Sequence, residues 1–397
     1  MGCTLPVVRA GRKAEERLRA GHPWVFGDEL REVPKELAPG EWVLVRSRAG
    51  ELLGTGTLNL SSRIALRLVS RGEAAPSKEF LSVRIAQAWA RREEAGWAGL
   101  AALRLVYSEG DFLPGLIADR FGRMIVVQVL TAGMERVRDA AVEALAERFS
   151  PRLIYERSEG GGRRIEGLPE RKGVLLGDGP PVEEVDTDGL RFLVNAATGP
   201  KTGFFLDQRG NRLLVRSLSA GRTVLDGFCA TGGFGLYALS GGAKSVFAVD
   251  ASSAFVDAAR ENAARNGFAG RWEGKSADMF SELRELAASG RRFDLVVLDP
   301  PAFAKSREDR EGALRGYRDI NRLGIGLLTP GGVLATSSCT QSIDVAKWKE
   351  AVRAAAADAR ADLEVVATGG QPPDHPVLLG VPETEYLKFA MFRKRPS

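Results

Sequence analysis

The chain has 397 residues, 44% hydrophobic and 27% charged, the balance of a soluble globular protein with room for two or three domains. No apolar run is long enough for a membrane span. The first residues lack the apolar centre of a signal peptide, and Pro6 stands where the myristoylation pattern needs Ser or Thr. Cys3, Cys229 and Cys339 are odd in number and far apart, which argues against a disulfide framework or a thiolate zinc site. His22 and His375 are the only histidines, which argues against a His-based triad or His-rich metal centre, and the compartment reads as reducing and cytoplasmic.

The net charge of +5 is concentrated at the start. Residues 1–72 hold 12 Lys and Arg against 8 Asp and Glu, a net +4. Such a balance fits a polyanionic partner, nucleic acid above all, and fits a solubilising surface equally well. In this region "RKAEERLRAG" predicts a short helix stopped at Gly21. "EWVLVRSRAGELLGTGTLN" predicts two strands around a turn at Ala49-Gly50, and "RIALRLVS" a third. Short strands with glycine breaks in a small basic unit predict a small β-barrel.

Residues 73–190 read as a central α+β domain. Its first helix starts at Ser77, with an apolar stripe at Phe80, Val83, Ala86 and Ala90. Strands follow in "LRLVYSEGDFLPGLIADRFGRMIVVQVL", then a helix in "MERVRDAAVEALAERFS" and a strand in "RLIYERS". "EGGGRR", Glu159 to Arg164, reads as a mobile loop. From 191 to 397 the pattern becomes strand–helix alternation, with strands "RTVLDGF", "SVFAVD", "RWEGKS", "FDLVVLD" and "GGVLATSS". One helix, "SSAFVDAARENAARNG", stops at Gly267. Apolar strands alternating with helices predict a doubly wound, Rossmann-like parallel sheet that binds its ligand across the carboxyl ends of the strands.

The chemistry gathers at those ends. "VLDGFCATGGFG" leaves the first strand and opens a helix. Gly232, Gly233 and Gly235 allow close backbone approach, and the helix N-terminus offers free N–H groups. The second strand ends in Asp250, 24 residues after Asp226, where an acid can accept both ribose hydroxyls of an adenosine. That much also fits NAD. However, the loop does not match G-x-G-x-x-G, and Asp226 ends the first strand itself. Asp278 follows the third strand within reach of an adenine amino group, or serves simply as a helix cap. Acids at the ends of four strands, the fourth being Asp299 in "LVVLDPPAFAKS", form the pattern of S-adenosylmethionine binding.

In the order "TGPKTGFFLDQRGNR", "LDGFCATGGFG", "VDAS", "ENAARNG", "LDPPAFAKS", "SSCT", the sequence resembles class I S-adenosylmethionine-dependent methyltransferases that make 5-methylcytosine in 23S ribosomal RNA. "GHPWVF" resembles the start of an N-terminal PUA domain, and "SEGDFLPGLIADRFG" a central-domain motif of the same family. The resemblance implies a PUA domain over 1–72, a central α+β domain over 73–190 and a Rossmann-like methyltransferase domain over 191–397. It also implies S-adenosylmethionine as cofactor, and Asp226, Gly232, Asp250, Asp278 and Asp299 as its contacts. Gln208 and Arg209 match the family's "DQR" element near the cofactor. The implied partner is 23S ribosomal RNA or a large-subunit assembly intermediate. The oligomeric state is open, a homodimer among the alternatives.

Cytosine C5 is a poor nucleophile until a thiolate adds to C6, which makes covalent catalysis the expected route. Cys339, after "GGVLATSS", fits that nucleophile. Asp299, with its direction fixed by Pro300-Pro301, fits a carboxyl that hydrogen-bonds cytosine N3 as the thiolate adds. Phe303 fits a stacking partner for an extruded base, or core packing. Many RNA cytosine-C5 methyltransferases carry a second cysteine after the Pro-Pro, where this chain has Ala302, so another group must serve product release. Cys229 is a rival thiol within the cofactor loop. The alternative enzyme is an N-methyltransferase acting on guanine or adenine of ribosomal RNA, which would leave Cys339 without a task. A non-catalytic RNA-binding factor and a small-molecule methyltransferase are further alternatives; the cofactor motifs disfavour the first and the basic N-terminal module the second.

Overall fold

The structure, a computed structural model, describes residues 5–304 and 309–396; Cys3, Lys305 and Ser306 lie outside them. The chain forms two compact units. The first comprises residues up to Val185 together with Val194–Gly203 and Pro373–Thr384. The second comprises Asp186–Leu193, Phe204–Pro372 and the chain from Glu385 onward.

In the first unit, six strands form one curled sheet in the spatial order Trp24–Phe26, Ile64–Ser70, Leu52–Leu58, Glu41–Arg46, Val7–Ala10, Leu30–Arg31. The expected helix runs over Arg12–Arg19 and buries Ala14 and Leu18. Gly21 and Gly50 end their segments with φ of 105° and 88°, a region that a side chain disfavours. Five further strands, Ala102–Tyr107, Leu116–Phe121, Met124–Val129, Leu153–Ser158 and Arg171–Gly177, make the second sheet of this unit. Trp42 and Val69 pack in the same core as Leu81, Ile85 and Leu103.

Two sequence expectations need correction here. The helix Lys78–Glu94 buries Leu81, Ile85, Ala88 and Arg92, whereas Val83 is 56% exposed. The buried face closes on a charged residue, Arg92, which an apolar pattern does not count. Its guanidinium is in fact buried in a bidentate pair with Asp111, at 2.7 Å on both arms. The glycine-rich "EGGGRR" segment contains a short helix, Gly161–Ile165, rather than a loop. Arg163 anchors it, fully buried, by donating to the carbonyls of Val129 and Pro169 and to Glu135. Bonds made far away in sequence offset the flexibility of the glycines.

The second unit is built on a seven-stranded sheet: β1 Thr223–Gly227, β2 Ser245–Asp250, β3 Trp272–Ser276, β4 Phe293–Leu298, β5 Leu328–Ser338, β6 Leu363–Gly370 and β7 Lys388–Lys394. Their spatial order is β3-β2-β1-β4-β5-β7-β6, with β7 antiparallel to both neighbours. The order reverses between β1 and β4, so the crevice for a ligand lies at their carboxyl ends. The helices are α1 Arg209–Ser217, α2 Gly233–Ser240, α3 Ser253–Arg265, α4 Met279–Ala288, α5 Arg310–Gly326 and α6 Val345–Asp358. Leu295 to Leu298 of β4 are each at most 1% exposed, as a strand covered on both faces requires. Five of the seven strands follow the expected segments; β6 and β7 had not been expected. No helix among the described residues is long and apolar enough to cross a membrane, and these residues hold no cluster of ligands suited to a metal ion.

Candidate active site

The loop between β1 and α2 turns under strain. Phe228, Ala230 and Gly232 all have positive φ, at 63°, 45° and 88°, so two side-chain-bearing residues occupy the left-handed region. Hydrogen bonds hold them there. Cys229 N–H donates to the Val249 carbonyl at 3.0 Å, Gly232 N–H to the Cys229 carbonyl at 2.8 Å, and Ala230 N–H to Asp250 Oδ2 at 3.0 Å. Asp250 Oδ1 accepts from Ser252 N–H at 2.9 Å. Each oxygen of Asp250 thus keeps a further lone pair, and the residue is half-exposed. A Cβ on Gly235 would come 2.9 Å from Asp226 Oδ2, which explains why the loop carries glycine there.

Asp226 is fully buried at the end of β1. Its Oδ2 accepts from Gly235 N–H at 2.7 Å, and its Oδ1 has no partner among the described residues. Burial, reinforced by the charges of Asp299 and Asp250, pushes its pKa up to about 7 against the opposing pull of Gly235 N–H and Arg212. Arg212 of α1 is the buried cation of this region. Its guanidinium lies 4.4 Å from the Phe204 ring and 5.8 Å from that of Phe234.

Asp299 follows β4 directly. Its Oδ1 accepts from Gln208 Nε2 at 2.8 Å and from the Ser337 hydroxyl, while Oδ2 makes no hydrogen bond to a described residue. The Gln208 amide is oriented by a chain of bonds. Asn211 Nδ2 donates to the Gly370 carbonyl at 3.2 Å and to Gln208 Oε1 at 2.6 Å, which turns Nε2 toward the acid. Burial pushes Asp299 up to about 6, aided by Asp207 and opposed by Ser337, Arg212 and Gln208. At neutral pH a carboxyl so placed sits close to its titration and can share a proton with a ligand.

Strands β4 and β5 run parallel, with Leu298 paired to Thr336, so Asp299 and Ser337 come next on adjacent strands. Cys339 lies two residues beyond Ser337 and is half-buried. Thr340 is fixed by Tyr317 of α5 across a 2.8 Å bond between hydroxyls. Lys388, at the start of β7, donates to the carbonyls of Thr340 at 2.7 Å and Tyr386 at 2.8 Å. Cys229 is buried in the loop, and burial, with Asp226 and Asp250 nearby, pushes its thiol well above the ordinary range. Such a thiol is a poor source of thiolate.

The remaining expected residues fall as follows. Asp278 caps α4, accepting from Ser281 N–H at 2.9 Å, and is exposed. Arg209 forms a bidentate pair with Asp188, away from the strand ends. Pro300 is buried. Phe303 is half-buried, its ring 4.7 Å from Tyr317 and 6.0 Å from Phe280. Of the acids, Asp226 interacts electrostatically with both Asp250 and Asp299, and Arg212 with Asp226 and Asp299. Sequence reading missed Ser337, Asn211, Arg212 and Lys388. Ser337, Asn211 and Arg212 stand inside the family motifs, and for Ser337 a polar residue flanking a candidate nucleophile was the available signal. Lys388 carried none.

Comparisons with known proteins agree with this geometry. Residues 172–393 match the profile of an S-adenosylmethionine-dependent methyltransferase family, and residues 8–71 that of a PUA-like domain. The chain is 40% identical over 386 residues to the ribosomal RNA large subunit methyltransferase I of Aeromonas hydrophila, covering 96% of this chain and 97% of the relative. It is equally similar, 40% over 386 residues with the same coverage, to the protein of that name from Photobacterium profundum. A putative S-adenosylmethionine-dependent methyltransferase from Streptococcus mutans shares the fold with a TM-score of 0.84 at 21% identity, over 98% of this chain and 100% of that one.

Proposed function

From the chain's place in the ribosomal RNA large subunit methyltransferase I family, to which it belongs, we propose that it methylates C5 of a cytosine in 23S ribosomal RNA through a Cys339–C6 adduct. S-adenosylmethionine is the methyl donor of the family and supplies an electrophilic methyl group when bound. The residues fit it. Asp250 retains acceptor capacity for ribose hydroxyls, and Gly232 keeps the loop backbone bare. Asp226 Oδ1 is a buried oxygen without a partner. Gln208 and Asp299 extend the polar wall beside them, while Asp278 can offer its second oxygen to an adenine amino group. Arg209 serves this site indirectly, by fixing the start of α1 to Asp188.

The observation that carries the proposal is the Ser337 bridge to Asp299, two residues before Cys339. In the proposed step Cys339 Sγ forms a bond to C6, and the C5–C6 π pair moves into the ring toward C5 and N3. Asp299 Oδ2, protonated or sharing a proton, hydrogen-bonds N3 and stabilises that charge. Once C5 carries the methyl, loss of its proton restores the double bond and expels the thiolate. Phe303 presents its exposed part to the base and is held by Tyr317 and Phe280. Pro300 fixes the loop direction.

In the same reading, residues 1–72 act as the RNA-binding PUA domain, 73–190 as the central domain and 191–397 as the methyltransferase domain. The setting is the cytoplasm, and the substrate 23S ribosomal RNA or a large-subunit assembly intermediate.

The test is a trapping experiment. RNA with 5-fluorocytosine at the target has no C5 proton to lose, so methyl transfer leaves the enzyme attached in a band visible on a denaturing gel. Cys229→Ala is expected to form the adduct. Cys339→Ala is expected to give neither adduct nor product while still binding cofactor. Methylation by Cys339→Ala at a rate near that of the unaltered chain would overturn the covalent route and favour N-methylation of a purine.

A further inference from the structure

Lys388 is an unusual residue to find in a sheet core. It opens β7 in the apolar run "KFAMF", is 4% exposed, and pairs in register with Ser338 of β5. Its ammonium makes two hydrogen bonds, both to backbone carbonyls, those of Thr340 and Tyr386. No carboxylate lies within ion-pair distance of it among the described residues. Burying an ammonium without a counter-charge is costly. Here burial lowers the Lys388 pKa to about 8, and the principal group opposing that fall is Cys339, ahead of Glu385 and Asp344. Tyr317 of α5 also interacts with Cys339; burial holds its phenol neutral, and it bonds to Thr340. Among the described residues, Cys339 thus has the Lys388 cation and the neutral Tyr317 phenol in its electrostatic surroundings.

Resting on the reading of Cys339 as nucleophile, we propose that Lys388 is the positioning residue that provides the counter-charge for the Cys339 thiolate, before addition to C6 and again when sulfur leaves. An anion next to a buried ammonium removes the penalty for both charges at once. That gives a lysine a role where its two carbonyl partners alone would leave the charge uncompensated. The two carbonyls have a second part: they pin the ammonium to the backbone on either side, so the charge cannot swing into solvent. Lys388 makes no bond to substrate in this proposal; the proton from C5 goes to another group.

The experiment uses the full chain with Cys3→Ser and Cys229→Ala, so that Cys339 is the sole thiol. Iodoacetamide alkylation is followed by mass spectrometry across pH, without RNA. With Lys388 in place, the midpoint of the rate is expected below the ordinary thiol value of about 8.5. In Lys388→Met the midpoint should rise by about one pH unit or more, which slows alkylation at neutral pH about tenfold. Lys388→Arg, which keeps the charge, should restore most of the shift. An unchanged midpoint in Lys388→Met, with cofactor affinity preserved, would overturn the proposal. So would an ordinary or higher midpoint in the chain that retains Lys388, a measurement that does not depend on any Lys388 variant folding. Failure of this kind leaves the trapping result with Cys339→Ala untouched. Methylation by Cys339→Ala would instead remove the premise.

Discussion

Asp226→Asn isolates the electrostatic strain stored at the end of β1. The carboxyl has a pKa of about 7 in the folded chain against an ordinary value of 3.8, burial being the main cause. The folded state therefore holds a proton between those values where the unfolded chain has lost it, so stability falls as pH rises through that window. At about 1.36 kcal/mol per pKa unit, the full penalty approaches about 4 kcal/mol above the folded pKa. Integrated for a single site, it amounts to about 2 kcal/mol at about pH 5 and about 4 kcal/mol at about pH 8. Asparagine cannot ionise. Relative to Asp226→Asn, the unaltered chain is thus expected to lose about 2–3 kcal/mol between those two pH values. Urea denaturation followed by tryptophan fluorescence at the two pH values measures it, since Trp272 and Trp348 are both buried in this unit. Any loss of the Gly235 bond in the variant is the same at both pH values and cancels in the difference. A difference indistinguishable from zero, or one of opposite sign, would show that Asp226 is ionised at ordinary acidity and that burial does not govern it.

Asp250→Ala removes the acid that steadies Ala230 and is proposed to hold the ribose. S-adenosylmethionine binding measured by calorimetry should weaken by about 1–3 kcal/mol, and unchanged affinity would remove Asp250 from the site. Arg67→Met strands the carboxylate of Glu166, which is 3% exposed and accepts from Arg67 at 2.7 Å and Asn59 at 2.9 Å. Breaking one partner from a buried pair should cost about 3–5 kcal/mol in denaturation of the first unit. A loss below about 1 kcal/mol would place the pair with solvent-screened ion pairs.

The sequence by itself determined the strand–helix alternation of the second unit, because apolar runs bounded by glycine and helix caps are local signals. "SVFAVD" and "FDLVVLD" became central strands, and Gly21, Gly50 and Gly267 ended segments where a positive φ was needed. The acids at strand ends were equally legible, since each closes or shortly follows a strand segment at the end where a doubly wound sheet opens its crevice. Only the tertiary structure decided what each acid does. Asp226 and Asp299 are raised by burial while Asp278 caps a helix in solvent, and nothing within a few residues of any of them specifies that difference. Arg92 and Arg163 are buried on partners, Asp111 and Glu135, that stand 19 and 28 residues away, beyond the reach of a local pattern. Lys388 reaches the loop of Cys339 only because β7 turns antiparallel to β5, a pairing across 50 residues between Ser338 and Lys388. Local sequence fixes backbone direction and apolar pattern, whereas burial and the partners of a charge depend on chain segments that meet only when the sheet closes.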